Sequence, residues 1–233
     1  MMTVTEIFYS LQGEGSLAGM PSVFVRLAGC PLRCRWCDTK YAWQPEVGRL
    51  YSTDDIVRKV IEFGTDTVVL TGGEPMTDAQ GLPEHKLVEL TERLKQSGMH
   101  ITIETTGIRF VPALKCDLMS ISPKLTNSAP NEMKPAALHN KNRLNITALA
   151  ELTDTYNYQL KFVIDSPQDI EEVKKIIDRI GGIATDRVLL MPQAQTRDEL
   201  LEKSPMVAEL CKQTGFTFGQ RLQVLLWNNR PRH

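Results

Sequence analysis

Three cysteines fall within eight residues, Cys30-Pro-Leu-Arg-Cys34-Arg-Trp-Cys37. Thiolates at this spacing can hold three irons of a four-iron cluster and leave the fourth without a protein ligand. An open metal position is where chemistry takes place. Cys116 and Cys211 are remote and isolated, and read as ordinary buried thiols. Two other readings stand beside the cluster. A structural zinc site also takes thiolates at such spacing, but it closes with four ligands, and His85, His100, His139 and His233 are scattered. A disulfide pair suits an oxidising compartment, whereas an odd count of five cysteines with no secretory signal suits a reducing one.

The elements that must position these cysteines follow from short apolar runs alternating with amphipathic segments. Strands are expected at 22–28, 67–71, 100–104, 117–121, 159–164, 187–191 and 221–227. Helices are expected at 54–63 with Ser52 or Thr53 as cap, at 83–97 ending on Gly98, and at 143–153, 167–180 and 198–214. Asp54-Asp55 and Glu171-Glu172 read as solvated charges at helix starts. Residues 124–142, rich in Pro, Asn and Ser, read as a long loop. Strand and helix in alternation imply a parallel sheet with right-handed crossovers, and about six such units fit an incomplete barrel as readily as a doubly wound sheet.

The 233 residues fit one domain, and 42% hydrophobic content gives it a core of its own. A net charge of −1 supplies no global basic field for nucleic acid, and no apolar run approaches a membrane span. A cytoplasmic protein is therefore expected, with a small-molecule substrate and neither nucleic-acid nor membrane partners.

In parallel α/β folds the active site lies at the carboxyl ends of the strands. Those ends carry Gly29-Cys30, Thr71-Gly72-Gly73-Glu74-Pro75, Glu104-Thr105-Thr106-Gly107, Ser122-Pro123-Lys124, Asp165 and Pro192-Gln193. The two glycines allow a close backbone approach, and their carbonyls with Glu74 could accept hydrogen bonds from an ammonium group.

With the cysteine spacing, this glycine-rich turn resembles the pair of motifs of radical S-adenosylmethionine (SAM) enzymes. Ser10-Leu-Gln-Gly-Glu-Gly15, Arg26 and Cys37-Asp-Thr39 narrow the likeness to the 7-carboxy-7-deazaguanine synthase family of queuosine biosynthesis. Later matches include Ser120-Ile-Ser-Pro-Lys124, Leu160-Lys-Phe-Val163, Met191-Pro-Gln193 and Arg221–Trp227, so it covers nearly the whole chain. The same cysteine spacing also occurs in glycyl-radical-enzyme activases, which do not account for Leu11–Gly15 or Cys37-Asp-Thr39.

The resemblance implies an α/β partial TIM-type barrel in a single radical SAM domain spanning 1–233. Within it, 1–21 would form an N-terminal substrate-loop segment, 22–214 the partial barrel core, and 215–233 a closing strand and tail. It implies a carbon–nitrogen lyase that contracts 6-carboxy-5,6,7,8-tetrahydropterin to 7-carboxy-7-deazaguanine with loss of ammonia. SAM is used catalytically, through an adenosyl radical that takes and returns the C6 hydrogen. Cys30, Cys34 and Cys37 would hold the 4Fe-4S cluster, and Thr39 a Mg2+ through its hydroxyl. Trp36, Cys37, Asp38, Gly73, Glu104, Ser122, Pro123 and Lys124 would contact SAM. Leu11, Gln12, Gly13, Glu14, Arg26, Thr71 and Gln193 would contact the substrate, Arg26 answering its carboxylate with a guanidinium fork. An external electron donor such as flavodoxin or ferredoxin, and a homodimer, are further family expectations.

Overall fold

Alternation along the strands sets the architecture of the computed structural model, which describes residues 1–77, 84–228 and 230. A nine-stranded sheet runs in the order β3-β1-β2-β4-β5-β6-β7-β8-β9. It comprises β1 (Met2–Leu11), β2 (Pro21–Leu27), β3 (Arg49–Tyr51), β4 (Thr67–Gly72), β5 (His100–Thr105), β6 (Leu118–Ile121), β7 (Tyr158–Ile164), β8 (Val188–Pro192) and β9 (Thr217–Phe218). β1 pairs antiparallel with β2 and β3, and from β2 onward every pairing is parallel. Each parallel strand is added on the same side of its predecessor, whereas a doubly wound sheet reverses direction partway. One-way addition curls the sheet into an open, partial barrel.

The helices are α1 (Thr53–Ile61), α2 (Glu84–Gln96), α3 (Met133–Asn142), α4 (Ile146–Thr155), α5 (Asp169–Ile180), α6 (Arg197–Thr214) and α7 (Leu222–Trp227). Alternate strand residues, among them Val23, Val25, Leu70, Ile103, Ile121, Leu160, Phe162 and Leu190, join the main core with Ile56, Leu90, Leu152, Val173 and Val207 from the helices. The intervening positions Phe24, Arg26, Thr71, Glu104, Ser120, Lys161 and Val163 line the cavity on the other face. Side chains of a strand point alternately to opposite faces, so one register supplies both the core and the cavity wall.

Several expectations are corrected. The N-terminal 1–21 segment is not only a loop: β1 occupies half of it, and only Gln12–Met20 forms the turn, closed by Gln12 N–H to the Met20 carbonyl at 2.8 Å and Gly19 N–H to the Gln12 carbonyl at 2.8 Å. The expected loop 124–142 contains α3, because Pro135 falls in the first turn, where its missing N–H has no helical partner to lose. The expected closing strand 221–227 is helical. Leucine and glutamine favour helix as readily as strand, and Val224 packs into a small cluster with Ala194 and Leu200. Helix α4 starts later than expected, with Asn145 as cap accepting from Ala148 N–H. The expected start of α2 at Pro83 and most of the tail after Asn228 lie outside the described residues. No helix among the described residues is long and apolar enough to cross a membrane.

Helix α6 opens with a capping box, in which Thr196 accepts from Glu199 N–H and Glu199 answers the cap backbone. Thr196→Ala is expected to cost about 1 kcal/mol, measured as a lower urea midpoint at unchanged slope, with cofactor loading unaffected.

Candidate active site

The carboxyl ends of the strands surround a cavity with about 230 Å³ open to the centre of a water-sized sphere. Cys30, Cys34 and Cys37 all line it, on the loop that leaves β2. That loop is held by backbone bonds: Cys30 N–H to the Trp43 carbonyl at 3.0 Å and Cys37 N–H to the Cys34 carbonyl at 3.1 Å. Arg33 folds its guanidinium back onto the Cys30 carbonyl at 2.6 Å and lies over the Trp43 ring. Burial pushes the Cys30 thiol up to about 12, with the Glu74 charge adding, and burial pushes Cys34 up to about 11. Such thiols stay protonated until a metal displaces the proton.

Gly72 and Gly73 serve the same loop. Neither has a left-handed backbone. A side chain on Gly73 would meet the Gly29 carbonyl, and one on Gly72 the Leu27 carbonyl. Their smallness lets the end of β4 lie against the start of the cysteine loop, tied by Gly73 N–H to Leu27 O at 2.9 Å and Glu74 N–H to Gly29 O at 2.8 Å. Glu74 is 1% exposed and has a different task from the one expected. Its carboxylate accepts from Thr105 Oγ1 at 2.7 Å, Thr106 N at 2.6 Å, Thr106 Oγ1 at 2.5 Å and Met76 N at 3.3 Å. It joins the ends of β4 and β5.

Glu14 reaches into the same cavity from the Gln12–Met20 turn, and Asp38, next to Cys37, lies 3.7 Å from its partner Arg221. Lys161 Nζ donates to Glu14 Oε2 at 3.1 Å, Arg221 Nε to its Oε1 at 3.1 Å, and Gln223 Nε2 to its Oε1 at 2.8 Å. Burial alone would raise its pKa, but Lys161 and Arg221 hold it down at about 2. Burial likewise opposes the charge on Lys161, yet Glu14 and Glu104 more than offset it and raise its pKa. Gln12 donates to Glu104 at 3.2 Å. Arg26, paired with Glu6 at 2.8 Å, faces the cavity from β2 beside Thr71 on β4.

Leu11, Gln12, Gly13, Glu14, Arg26, Trp36, Asp38, Thr39, Thr71, Gly73, Glu104, Ser122 and Lys124 thus share one cavity with the cysteines. Pro123 and Gln193 do not line it; Gln193 instead accepts from Lys203 at 2.7 Å. Lys161, Arg221, Gln223 and His139 are residues that sequence reasoning passed over. Lys161 had a signal: a lysine within the apolar run Leu160–Ile164, at the inward register of β7. Thr39 Oγ1 lies 3.6 Å from Cys37 Sγ, and Lys124 Nζ sits 5.6 Å from the centre of the Trp36 ring and 2.8 Å from Ser122 Oγ.

The residues fit the implied groups. Three thiols face a shared space with no fourth cysteine beside them, as a cluster with one open iron requires. Trp36 Nε1 and Gln223 Oε1 are buried without a hydrogen-bond partner on two residues that line the cavity, Gln223 Oε1 lying against Gly13.

Comparison with known proteins agrees with this geometry. Residues 25–202 match the Radical SAM superfamily. The 7-carboxy-7-deazaguanine synthase of Halobacterium salinarum is 41% identical, with 99% of this chain and 92% of the relative aligned. That of Rhodopirellula baltica is 38% identical, over 98% of this chain and 88% of the relative. The crystal structure of QueE from Escherichia coli superimposes with a TM-score of 0.69 at 25% identity, covering 94% of this chain and 92% of that one. TYW1 with a lysine-pyruvate adduct shares the fold, at a TM-score of 0.52 and 14% identity over 81% of this chain and 73% of that one.

Two stability effects follow. Glu74→Gln places an amide NH2 against donors and is expected to destabilise the protein by about 3 kcal/mol, read from urea unfolding. Glu14 has a folded pKa of about 2 against an ordinary 4.5. Its contribution is complete above pH 4.5 and is lost as pH falls toward 2, an effect of about 3 kcal/mol. In Glu14→Gln that part of the pH dependence should vanish when urea midpoints are compared between pH 5 and pH 3.

Proposed function

The chain belongs to the 7-carboxy-7-deazaguanine synthase family of the radical SAM superfamily, and on that premise we propose that it contracts 6-carboxy-5,6,7,8-tetrahydropterin to 7-carboxy-7-deazaguanine with loss of ammonia. The observation that carries this reading is a single cavity lined by the three cysteines and by a half-buried Glu14 carboxylate that Lys161, Arg221 and Gln223 hold. The first half serves SAM chemistry and the second a nitrogen-rich substrate.

Cys30, Cys34 and Cys37 would hold the 4Fe-4S cluster. When bound, cluster and SAM supply the one-electron chemistry that abstracts and returns a hydrogen at C6. Trp36, Asp38, Gly73, Ser122 and Lys124 would orient SAM, the Trp36 ring already carrying the Lys124 ammonium on its face. Glu104 would reach the ribose hydroxyls. Glu14, kept anionic by Lys161 and Arg221, would accept from the N–H groups of the pterin, with Leu11, Gln12, Gly13 and Thr71 as the other contacts of the substrate. Arg26 would pair with the substrate carboxylate. Thr39 would contribute one oxygen to Mg2+, the rest coming from substrate and waters, as that ion tolerates. Reduction would come from an external donor such as flavodoxin or ferredoxin, and the active form would be a cytoplasmic homodimer.

The test is anaerobic reconstitution with iron and sulfide, then reduction in the presence of SAM, magnesium and 6-carboxytetrahydropterin, followed by mass spectrometry. A product lighter by one ammonia, with SAM not consumed in proportion, supports the assignment. SAM cleavage without that product contradicts it. Lys161→Met leaves Glu14 short of one charged partner and is expected to lower kcat/KM by about 30-fold at unchanged iron content.

A further inference from the structure

His139 lies on α3, outside every motif that pointed to chemistry, yet it is 1% exposed. Its Nδ1 accepts from the backbone N–H of Arg33 at 3.2 Å, one residue before Cys34. Its Nε2 lies 2.9 Å from Ser128 Oγ, and that hydroxyl donates to the Leu125 carbonyl at 2.6 Å. With both outer bonds directed, the histidine must carry its proton on Nε2 and donate it to Ser128. On the far side of Cys34, the backbone N–H of Arg35 donates to the Ser128 carbonyl at 2.9 Å. The two N–H groups flanking the middle cysteine therefore end on one pair of residues, one on the His139 ring and the other on the Ser128 backbone carbonyl.

That pair is anchored to the barrel. Asn127, between Thr126 and Ser128, donates to the Val163 carbonyl at the end of β7 and to Asp169 at the start of α5, each at 2.9 Å. Arg143, one residue past α3, donates to the Lys124 carbonyl at 2.6 Å and pairs with Glu172 of α5 at 2.9 Å. The same brace thus fixes the segment after β6 that carries Ser122 and Lys124.

Resting on the reading of Cys30, Cys34 and Cys37 as cluster ligands, we infer that His139 and Ser128 are positioning residues that hold Cys34 in register with the end of β6. Without the brace, the Arg33 N–H beside Cys34 loses its partner, and the segment that offers the Ser128 carbonyl to the Arg35 N–H loses its tie to α3. Residues that orient metal ligands in this way govern metal retention more than they govern the fold.

The test uses the reconstituted full-length protein and reads iron release to an excess of chelator under anaerobic conditions, beside the thermal midpoint of the metal-free form. Ser128→Ala removes the acceptor of His139 together with the bond to the Leu125 carbonyl, keeps the backbone carbonyl that Arg35 uses, and is expected to speed iron release about 10-fold with the metal-free midpoint little changed. His139→Leu should speed it further. His139→Asn keeps an acceptor near the Nδ1 position and should restore a slower rate than leucine. A wild-type release rate in Ser128→Ala overturns the inference, whether or not His139→Leu folds. So does equal release from the asparagine and leucine variants. A wild-type protein that takes up no cluster would instead refute the ligand assignment beneath it.

Discussion

Glu14 carries the closure of this fold. An open barrel made by one-way strand addition has a gap between its first and last parallel strands, and no backbone pairing spans it. The gap is bridged by side chains: one carboxylate from the turn after β1 meets Lys161 on β7, and Arg221 and Gln223 at the last helix. Leu222 N–H adds a bond to the Gly13 carbonyl at 2.8 Å. A charge withdrawn from water is costly unless it is paired and hydrogen-bonded, and here the contributors come from three separate parts of the chain. The network therefore forms only when the N-terminal turn, the sheet and the C-terminal helix are all in place. The same charges line the cavity, so assembling the barrel also assembles that part of its wall.

The cysteine side is built on a different principle. Its loop is held by backbone hydrogen bonds and by glycines whose missing side chains let β4 lie against it. Glu74 ties that strand end to β5 through four hydrogen bonds. On this side burial keeps the Cys30 and Cys34 thiols protonated. The charged cluster around Glu14 is in place before any ligand binds, whereas the thiols would be completed by the metal proposed for them.

Much of this was legible in the residues themselves. The cysteine spacing, the paired glycines and polar residues at strand ends located one rim, since short-range patterns report directly on local backbone. The parallel strands from Thr67 to Pro192 also followed from apolar periodicity, whereas β9 at Thr217–Phe218 did not. What escaped were the long-range features. Leu222–Trp227 has a composition that suits strand or helix equally, and only its packing on Ala194 and Leu200 decides. Met133–Asn142 looked irregular because Pro135 was read without its place in a first turn. His139 has no local motif, and the segments that carry Lys161 and Arg221 do not by themselves give either residue a partner. The partners of Lys161, Arg221 and His139 lie 147, 207 and 106 positions away in the chain, so their roles exist only in three dimensions.

The central claim is that the three thiols and the facing cavity form one SAM-dependent radical site. The most direct measurement is electron paramagnetic resonance of the anaerobically reconstituted, reduced protein with and without SAM. A reduced four-iron signal that changes shape and position when SAM is added is predicted, because SAM would occupy the iron that no cysteine holds. A signal that SAM leaves unaltered, or a protein that stays colourless after iron and sulfide, would contradict the account.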